Sequence, residues 1–283
     1  MNQAYMKTIV TLALAEDLGS GDITTNSLIP ASTQAQARII VKSDGIVCGL
    51  NVAQCVFKTL NKQVKLQRNV AEGSRVKKGK VVAFIKGPAR AILTGERVAL
   101  NFLIHLSAIA THTRALVDRI KPYKTKILDT RKTTPLLRSL ERYAVRIGGG
   151  YNHRFDLSTM AMIKDNHCFM LKKNSLADAV KTIKTKTRKA LELEVDTWKE
   201  FQQALNSKAD IILLDNMTPA QIRRAVIFRD QGKSKVLLEA SGGIHLDNVR
   251  AYAATGVDRI SIGSLTASRQ ALDMSLDFYD ETH

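Results

Sequence analysis

Leu191-Glu-Leu-Glu-Val-Asp196 and Ile211-Ile-Leu-Leu-Asp-Asn216, separated by a helix-like stretch, set the pattern that decides the fold. Each is a short apolar run that ends in polar or charged residues. Lys126-Ile-Leu-Asp-Thr-Arg-Lys132, Ala161-Met-Ile-Lys-Asp-Asn-His167, Val236-Leu-Leu-Glu-Ala-Ser-Gly-Gly243 and Ile260-Ser-Ile-Gly-Ser264 have the same form. Such runs, most of them separated by helical segments, read as parallel strands joined by crossovers. Ligands of such sheets and barrels sit beyond the C-terminal strand ends, where the βα loops gather. Basic, acidic and glycine tips thus converge on one place, a combination suited to a phosphate ester with a metal ion. Six runs are fewer than the eight of a complete TIM barrel, and 107–125 shows no readable seventh. The expectation is an α/β protein with an open, incomplete TIM-like barrel.

The first hundred or so residues differ in texture. Thr8 to Leu18 is helical in pattern, Ala35 to Lys42 alternates as a strand with Gly45 to Gly49 as its continuation, and Val52 to Leu60 suits a helix. Val70 to Gly87 places glycine turns between β-rich pieces, like half of a biotinyl-type sandwich without the carrier lysine. A long helical pattern follows Pro88. Two domains are expected: an N-terminal α/β domain over 1–106 and the barrel over 107–283.

With 283 residues, 45% apolar and 24% charged, the chain can bury a sizeable core. Its longest apolar stretch, Val98 to Ala110, is broken by Asn101 and His105, so no membrane span is expected. Thr8 to Ala15 reads as part of an amphipathic helix rather than a signal sequence, because Glu16-Asp17 follows at once. Cys48, Cys55 and Cys168 lack metal-site spacing and suit free, buried thiols in a reducing cytoplasm. The net charge of +17 admits nucleic acid, an anionic membrane or a polyanionic substrate. The densest basic run, Lys181 to Lys189, reads as a solvated face of a crossover helix, and neither nucleic acid nor a membrane is the expected partner.

At the tips, Arg131 and Lys132 follow the first strand; an arginine fork grips carboxylate or phosphate, while lysine is a movable point charge. Pro135 suits the first turn of a helix whose apolar stripe runs through Leu136, Leu140, Tyr143, Ala144 and Ile147, with Arg138, Arg142 and Arg146 as a solvated face. Gly148-Gly-Gly-Tyr-Asn-His-Arg154 ends that helix and offers His153 and Arg154 to an anion. Lys164 suits an anion too. Glu194 and Asp215, on neighbouring tips, suit Mg²⁺ held partly through water; Glu192 shares the face of Glu194 and reads equally as core or salt-bridge residue. Ser241-Gly242-Gly243 and Ile262-Gly263-Ser264 close the last two strands, where barrels often bind phosphate.

As a set, these motifs resemble the quinolinate phosphoribosyltransferase (nicotinate-nucleotide pyrophosphorylase, carboxylating) family. Besides the tips, the resemblance rests on Glu16-Asp-Leu-Gly-Ser-Gly-Asp-Ile-Thr24, Leu93-Thr-Gly-Glu-Arg-Val-Ala-Leu-Asn-Phe102 and Gly256-Val-Asp-Arg-Ile-Ser-Ile-Gly263, and it covers nearly the whole chain. It implies an N-terminal α/β sandwich, an open barrel, and a homodimer with shared active sites, with assembly beyond the dimer left open. It implies that Thr130, Arg131, His153 and Arg154 bind quinolinate together with Arg97 of a partner subunit. Lys132 and Lys164 would serve that pocket and phosphoribosyl pyrophosphate, Glu194 and Asp215 the Mg²⁺-bound pyrophosphate and ribose, and Ser241–Gly243 with Ser261–Ser264 the 5-phosphate. Two residues depart from the family pattern: Leu136 stands where glycine is usual and Arg142 where lysine is usual. The rival readings are a molybdenum-operon relative of the same fold, a nicotinate phosphoribosyltransferase without decarboxylation, and a non-catalytic anion- or nucleic-acid-binding protein.

Overall fold

Hydrogen-bonded capping and left-handed turns divide the chain into elements close to those its patterning suggests. The computed structural model describes residues 2–171, 176–267 and 272–280. In chain order the N-terminal elements are α1 (Gln3–Leu18), α2 (Ile23–Leu28), β1 (Gln34–Val41), β2 (Gly45–Ile46), α3 (Leu50–Leu60), β3 (Lys65–Arg68), β4 (Arg75–Val76), β5 (Val81–Pro88) and α4 (Ala89–Arg119). There follow β6 (Lys126–Leu128), α5 (Arg138–Ile147), β7 (Ala161–Ile163), α6 (Asp165–Leu171), α7 (Leu176–Lys186), β8 (Leu191–Val195), α8 (Trp198–Leu205) and β9 (Ile211–Asp215). The remainder is α9 (Pro219–Gln231), β10 (Leu237–Ser241), α10 (Val249–Ala253), β11 (Arg259–Ser261), α11 (Ser264–Ala267) and β12 (Met274–Phe278).

The chain forms two compact units. The first comprises Met1–Arg114, Thr133–Gly149 and Thr266–His283, the second Ala115–Lys132 and Gly150–Leu265. The 106/107 division expected from the sequence falls inside α4, and the first unit gathers two later segments of chain.

In the first unit, an antiparallel sheet ordered β12-β1-β5-β3 is the central layer, and β12 pairs with β1 from Ala37 opposite Phe278 to Val41 opposite Met274. Gly45–Ile46 does not continue β1; it pairs separately with β4. Ile39, Ile85, Phe57, Leu50, Leu100, Leu103 and Leu106 are fully or almost fully buried, joining the sheet to α3 and α4. α4 is long and apolar enough to cross a membrane by length and composition, with a mean hydropathy of 1.3 over its most apolar window. That window is 61% buried, as suits a core helix. The expected apolar stripe of α5 holds for Leu140 and Ala144, both buried. Pro135 and Leu136 lie in a turn ahead of the helix, however, and Leu136 is exposed, with φ 64°. Buried Glu141 anchors this turn, accepting from the Thr134 N–H at 3.2 Å and meeting His105 Nε2 at 2.8 Å. The thiols are less uniform than expected: Cys48 is buried, Cys55 intermediate and Cys168 exposed.

The second unit is a six-stranded parallel sheet ordered β6-β11-β10-β9-β8-β7. All six strands expected from the sequence are present, and 107–125 supplies mainly the end of α4 rather than a strand. Because β6 and β7 are the two edges, the barrel is open between its first two strands. Leu191, Leu193, Ile212, Leu214, Leu238, Ala240 and Ile260 are wholly buried, as expected of strands covered on both faces. Two capping boxes start the helices after β8 and β9: Thr197 with Glu200, and Thr218 with Gln221 beside Pro219. They end the strand tips sharply and so fix where Glu194 and Asp215 stand.

Candidate active site

Apart from Arg97, every residue assigned to the site lies in the second unit; all but His153 and Arg154 stand at or just beyond the C-terminal end of a parallel strand, and those two follow the isolated bridge between Tyr151 and Leu128. Their arrangement separates into three neighbourhoods.

Around the end of β6, Asp129 is wholly buried and accepts from Asn152 Nδ2 at 2.5 Å and from the His153 backbone N–H at 2.7 Å. Tyr151 adds a parallel bridge to Leu128, its N–H bonded to the Ile127 carbonyl at 2.8 Å. The glycine-led segment is thereby stitched to the β6 tip, bringing His153 and Arg154 to Arg131. Arg154 is part-buried and donates from Nη1 to the Met160 carbonyl at 3.1 Å. Burial first, then the charge of Arg131, hold its pKa below the usual arginine value, with Glu192 and Glu194 opposing. Two guanidinium groups close enough to repel each other are an anion site in waiting. The ring of His153 turns inward instead: Nε2 lies 3.0 Å from Glu192 Oε2 and 3.3 Å from Glu239 Oε1, and its side chain is 8% exposed. Although burial disfavours the charged ring, the two carboxylates outweigh it and push the pKa of His153 up to about 10. Burial and then Glu239 raise the pKa of Glu192 in turn.

The second neighbourhood is acidic. Glu194 and Asp215 line one cavity of about 270 Å³ together with Asp165, Cys168, Asp196 and Glu200. Lys164 Nζ donates to Glu194 Oε2. Asn216 Nδ2 donates to Asp215 Oδ2 at 2.7 Å. A hydrogen bond with Glu200, and then its charge, push the Asp196 carboxyl up. Several carboxylates lining one cavity offer oxygen donors of the kind a hard divalent cation takes, so the residue types fit Mg²⁺.

The third neighbourhood is the pair of glycine tips. Gly242 has φ 95°, and a Cβ there would lie 2.1 Å from Asn216 Oδ1, so only glycine admits the Asn216 side chain. Asn216 itself is left-handed, φ 53°, and its N–H bonds the Ser241 carbonyl at 2.9 Å. At the next tip, a Cβ on Gly263 would meet Lys132 Cδ at 2.9 Å and Thr130 Oγ1 at 3.7 Å. The bare backbone of Gly263 therefore lets Lys132 lie across the end of β11, where Thr130 Oγ1 accepts the Lys132 N–H at 3.1 Å. Ile262 is placed differently from the phosphate role expected of it: it is 2% exposed and its N–H is bonded to the Leu128 carbonyl at 3.0 Å. Ser261 is buried as well. Ser241–Gly243 and Gly263–Ser264 remain as candidate phosphate contacts. Arg97 is exposed on α4, in the first unit.

Sequence reading missed Asp129 and Glu239 as parts of this arrangement and left Glu192 open. The available signal was an acid inside an apolar run, which is costly unless paired.

Residues 22–107 match the family model described as quinolinate phosphoribosyl transferase, N-terminal domain, and residues 109–277 match the C-terminal domain of the same family. The chain is 41% identical over 283 residues to a probable nicotinate-nucleotide pyrophosphorylase (carboxylating) of Bacillus subtilis, covering 98% of this chain and 94% of that one. It is 40% identical over 269 residues to the nicotinate-nucleotide pyrophosphorylase (carboxylating) of Mycobacterium leprae, covering 94% of each. Among solved structures, the nicotinate-nucleotide pyrophosphorylase of Francisella tularensis superposes with a TM-score of 0.92 at 38% identity, covering 99% of this chain and 98% of that one.

Proposed function

The chain belongs to the quinolinate phosphoribosyl transferase family and is a decarboxylating phosphoribosyltransferase of NAD biosynthesis; we propose that its strand tips perform the reaction as follows. Quinolinate and phosphoribosyl pyrophosphate give nicotinate mononucleotide, pyrophosphate and CO₂. Arg131, Arg154, His153 and Thr130 hold the two carboxylates of quinolinate, with Arg97 of a partner subunit completing the pocket. The mutual crowding of Arg131 and Arg154 supports this, because a dianion relieves it. Lys132 and Lys164 neutralise the donor's phosphates. Ser241–Gly243 and Gly263–Ser264 hold its 5-phosphate through backbone N–H groups.

With both substrates so held, the pyridine nitrogen lone pair forms the bond to ribose C1 as the C1–O bond to pyrophosphate breaks. The transition state is oxocarbenium-like, so alignment and fixed charges matter more than a strong base. Glu194 and Asp215 would hold Mg²⁺, whose charge would offset that of the pyrophosphate leaving group. When CO₂ departs, the electron pair of the broken bond stays on C2, stabilised as an ylide by the adjacent positive nitrogen of the pyridinium, and C2 then takes a proton. Arg131, Arg154 and His153 keep the ring oriented through both steps.

Shared active sites require a homodimer. Apolar side chains standing exposed in the single chain, Ile23 at 79% and Leu28 at 72%, support such an interface. A reducing cytoplasm suits the free thiols.

The observation that carries the assignment of residues is the approach of Arg154 to Arg131, with Glu194 of the acid-lined cavity also acting on Arg154, within one unit. The test is a turnover assay with Mg²⁺, phosphoribosyl pyrophosphate and either quinolinate or nicotinate. Quinolinate-dependent formation of nicotinate mononucleotide, lost in Arg131→Ala and in Glu194→Ala, is expected. Equal turnover of nicotinate, or full activity of either variant, would refute the assignment.

A further inference from the structure

Glu192 and Glu239 enclose carboxylates in the most expensive place a protein has for them. Both residues are 0% exposed, on β8 and β10, and none of their four oxygens has a well-directed hydrogen bond among the described residues. Buried polar groups left so are rare, and each asks for a reason. What both face is one edge of the His153 ring: Nε2 stands within ion-pair distance of each, aligned on neither. The backbone of His153 is pinned separately by Asp129. Nδ1, the other ring nitrogen, makes no hydrogen bond among the described residues.

We infer that Glu192 and Glu239 are positioning residues, holding the His153 ring by its Nε2 edge so that the Nδ1 N–H is presented to a carboxylate of quinolinate. This rests on the proposed role of His153 in binding quinolinate. Neither glutamate touches substrate. A neutral, freely turning imidazole would offer either a donor or a lone pair to the incoming anion; a ring tied to two carboxylates offers only a donor, with a positive charge behind it. His153, Glu192 and Glu239 would also present three ligand atoms within 4.8 Å of one another to a metal ion. A metal there needs the ring without a proton on Nε2, whereas the paired carboxylates favour that proton, and the imidazolium supplies the positive charge a cation would bring.

The experiment measures quinolinate and phosphoribosyl pyrophosphate affinity by titration calorimetry on the full chain, for Glu239→Gln, Glu192→Gln, His153→Ala and the doubly substituted combinations. Removal of either carboxylate charge is expected to weaken quinolinate about tenfold while phosphoribosyl pyrophosphate changes less than about twofold, as for loss of one charge-assisted contact. In the His153→Ala background the same glutamate substitutions should change quinolinate affinity by less than about twofold, since neighbours acting through one residue are non-additive. Undiminished quinolinate binding in both single variants, equal weakening of both substrates, or undiminished effects in the His153→Ala background would overturn the inference. So would stoichiometric metal at this cluster in protein dialysed against a chelator, or failure of both carboxamide variants to fold, which would assign the pair to the core alone. Failure of the underlying reading is separate: wild-type protein would not bind quinolinate, or His153→Ala would bind it as well as wild type.

Discussion

Replacing Leu136 should invert an ordinary rule about glycine. The residue sits at φ 64°, in the turn before α5, with its side chain mostly exposed (67%) and its carbonyl accepting the Tyr5 hydroxyl at 2.6 Å. For any residue with a Cβ, the left-handed conformation costs about 1–2 kcal/mol. Glycine escapes that cost but gives up about 0.5–1 kcal/mol through the greater freedom of its unfolded chain. Leu136→Ala and Leu136→Gly lose the same side-chain contacts, so the comparison between them isolates the backbone. Relief of strain should win, leaving Leu136→Gly more stable than Leu136→Ala by about 0.5–1 kcal/mol, the reverse of the order in a helix or strand. Thermal unfolding should then separate the two by about 1–4 °C. Urea denaturation of both, with unchanged slopes, gives the free energies directly. If the alanine variant equals or exceeds the glycine variant, the turn does not hold residue 136 left-handed and the argument falls.

Gly242→Ala should lower phosphoribosyl pyrophosphate affinity at least about tenfold and stability by about 1–3 kcal/mol, because its Cβ would lie 2.1 Å from Asn216 Oδ1 at a strained φ; steady-state kinetics with thermal melting checks both. Asp129→Ala should cost about 3 kcal/mol in urea unfolding, since it strips partners from the part-buried Asn152 Nδ2 and His153 N–H. The same variant should raise the quinolinate KM more than the phosphoribosyl pyrophosphate KM. His153 makes stability pH-dependent: its folded pKa, pushed up to about 10, exceeds an unfolded value of about 6.5, so its contribution is full below pH 6.5 and lost as pH rises through 10. Unfolding free energies taken from pH 6.5 to 10 should therefore fall more steeply for wild type than for His153→Gln. Cys168 lines the acidic cavity and is exposed, whereas Cys48 is buried. A thiol reagent should label Cys168 first in native protein, and Mg²⁺ with pyrophosphate should slow it; mass spectrometry locates the label.

The barrel strands were legible because each is an apolar run of period-independent burial that stops at a polar tip, and a parallel sheet covered on both faces leaves that mark. The positions of Arg131, Lys132, Lys164, Glu194 and Asp215 at strand ends were legible for the same reason, as polar groups where an apolar run stops. Other features depend on partners far along the chain. Glu192 and Glu239 are 47 residues apart, and only the sheet register, with Glu192 beside Ile211 and Leu213 beside Glu239, brings them to one ring. Gly45–Ile46 looks like a continuation of β1 because a two-residue strand has no periodicity of its own. Leu136 fits an apolar helical stripe by spacing alone, but the turn at Pro135–Leu137 delays the helix to Arg138, and its φ is a backbone fact that a leucine does not advertise.

The pairing of β12 with β1 has a consequence for the order of synthesis. Val41 and Ala37 are translated well before their strand partners Met274 and Phe278. Until those residues emerge, one side of β1 is an unpaired strand edge, open to another nascent chain or to a chaperone. The first unit is thus completed only after the barrel strands have been made, and loss of β12 should impair its sheet before it impairs the barrel.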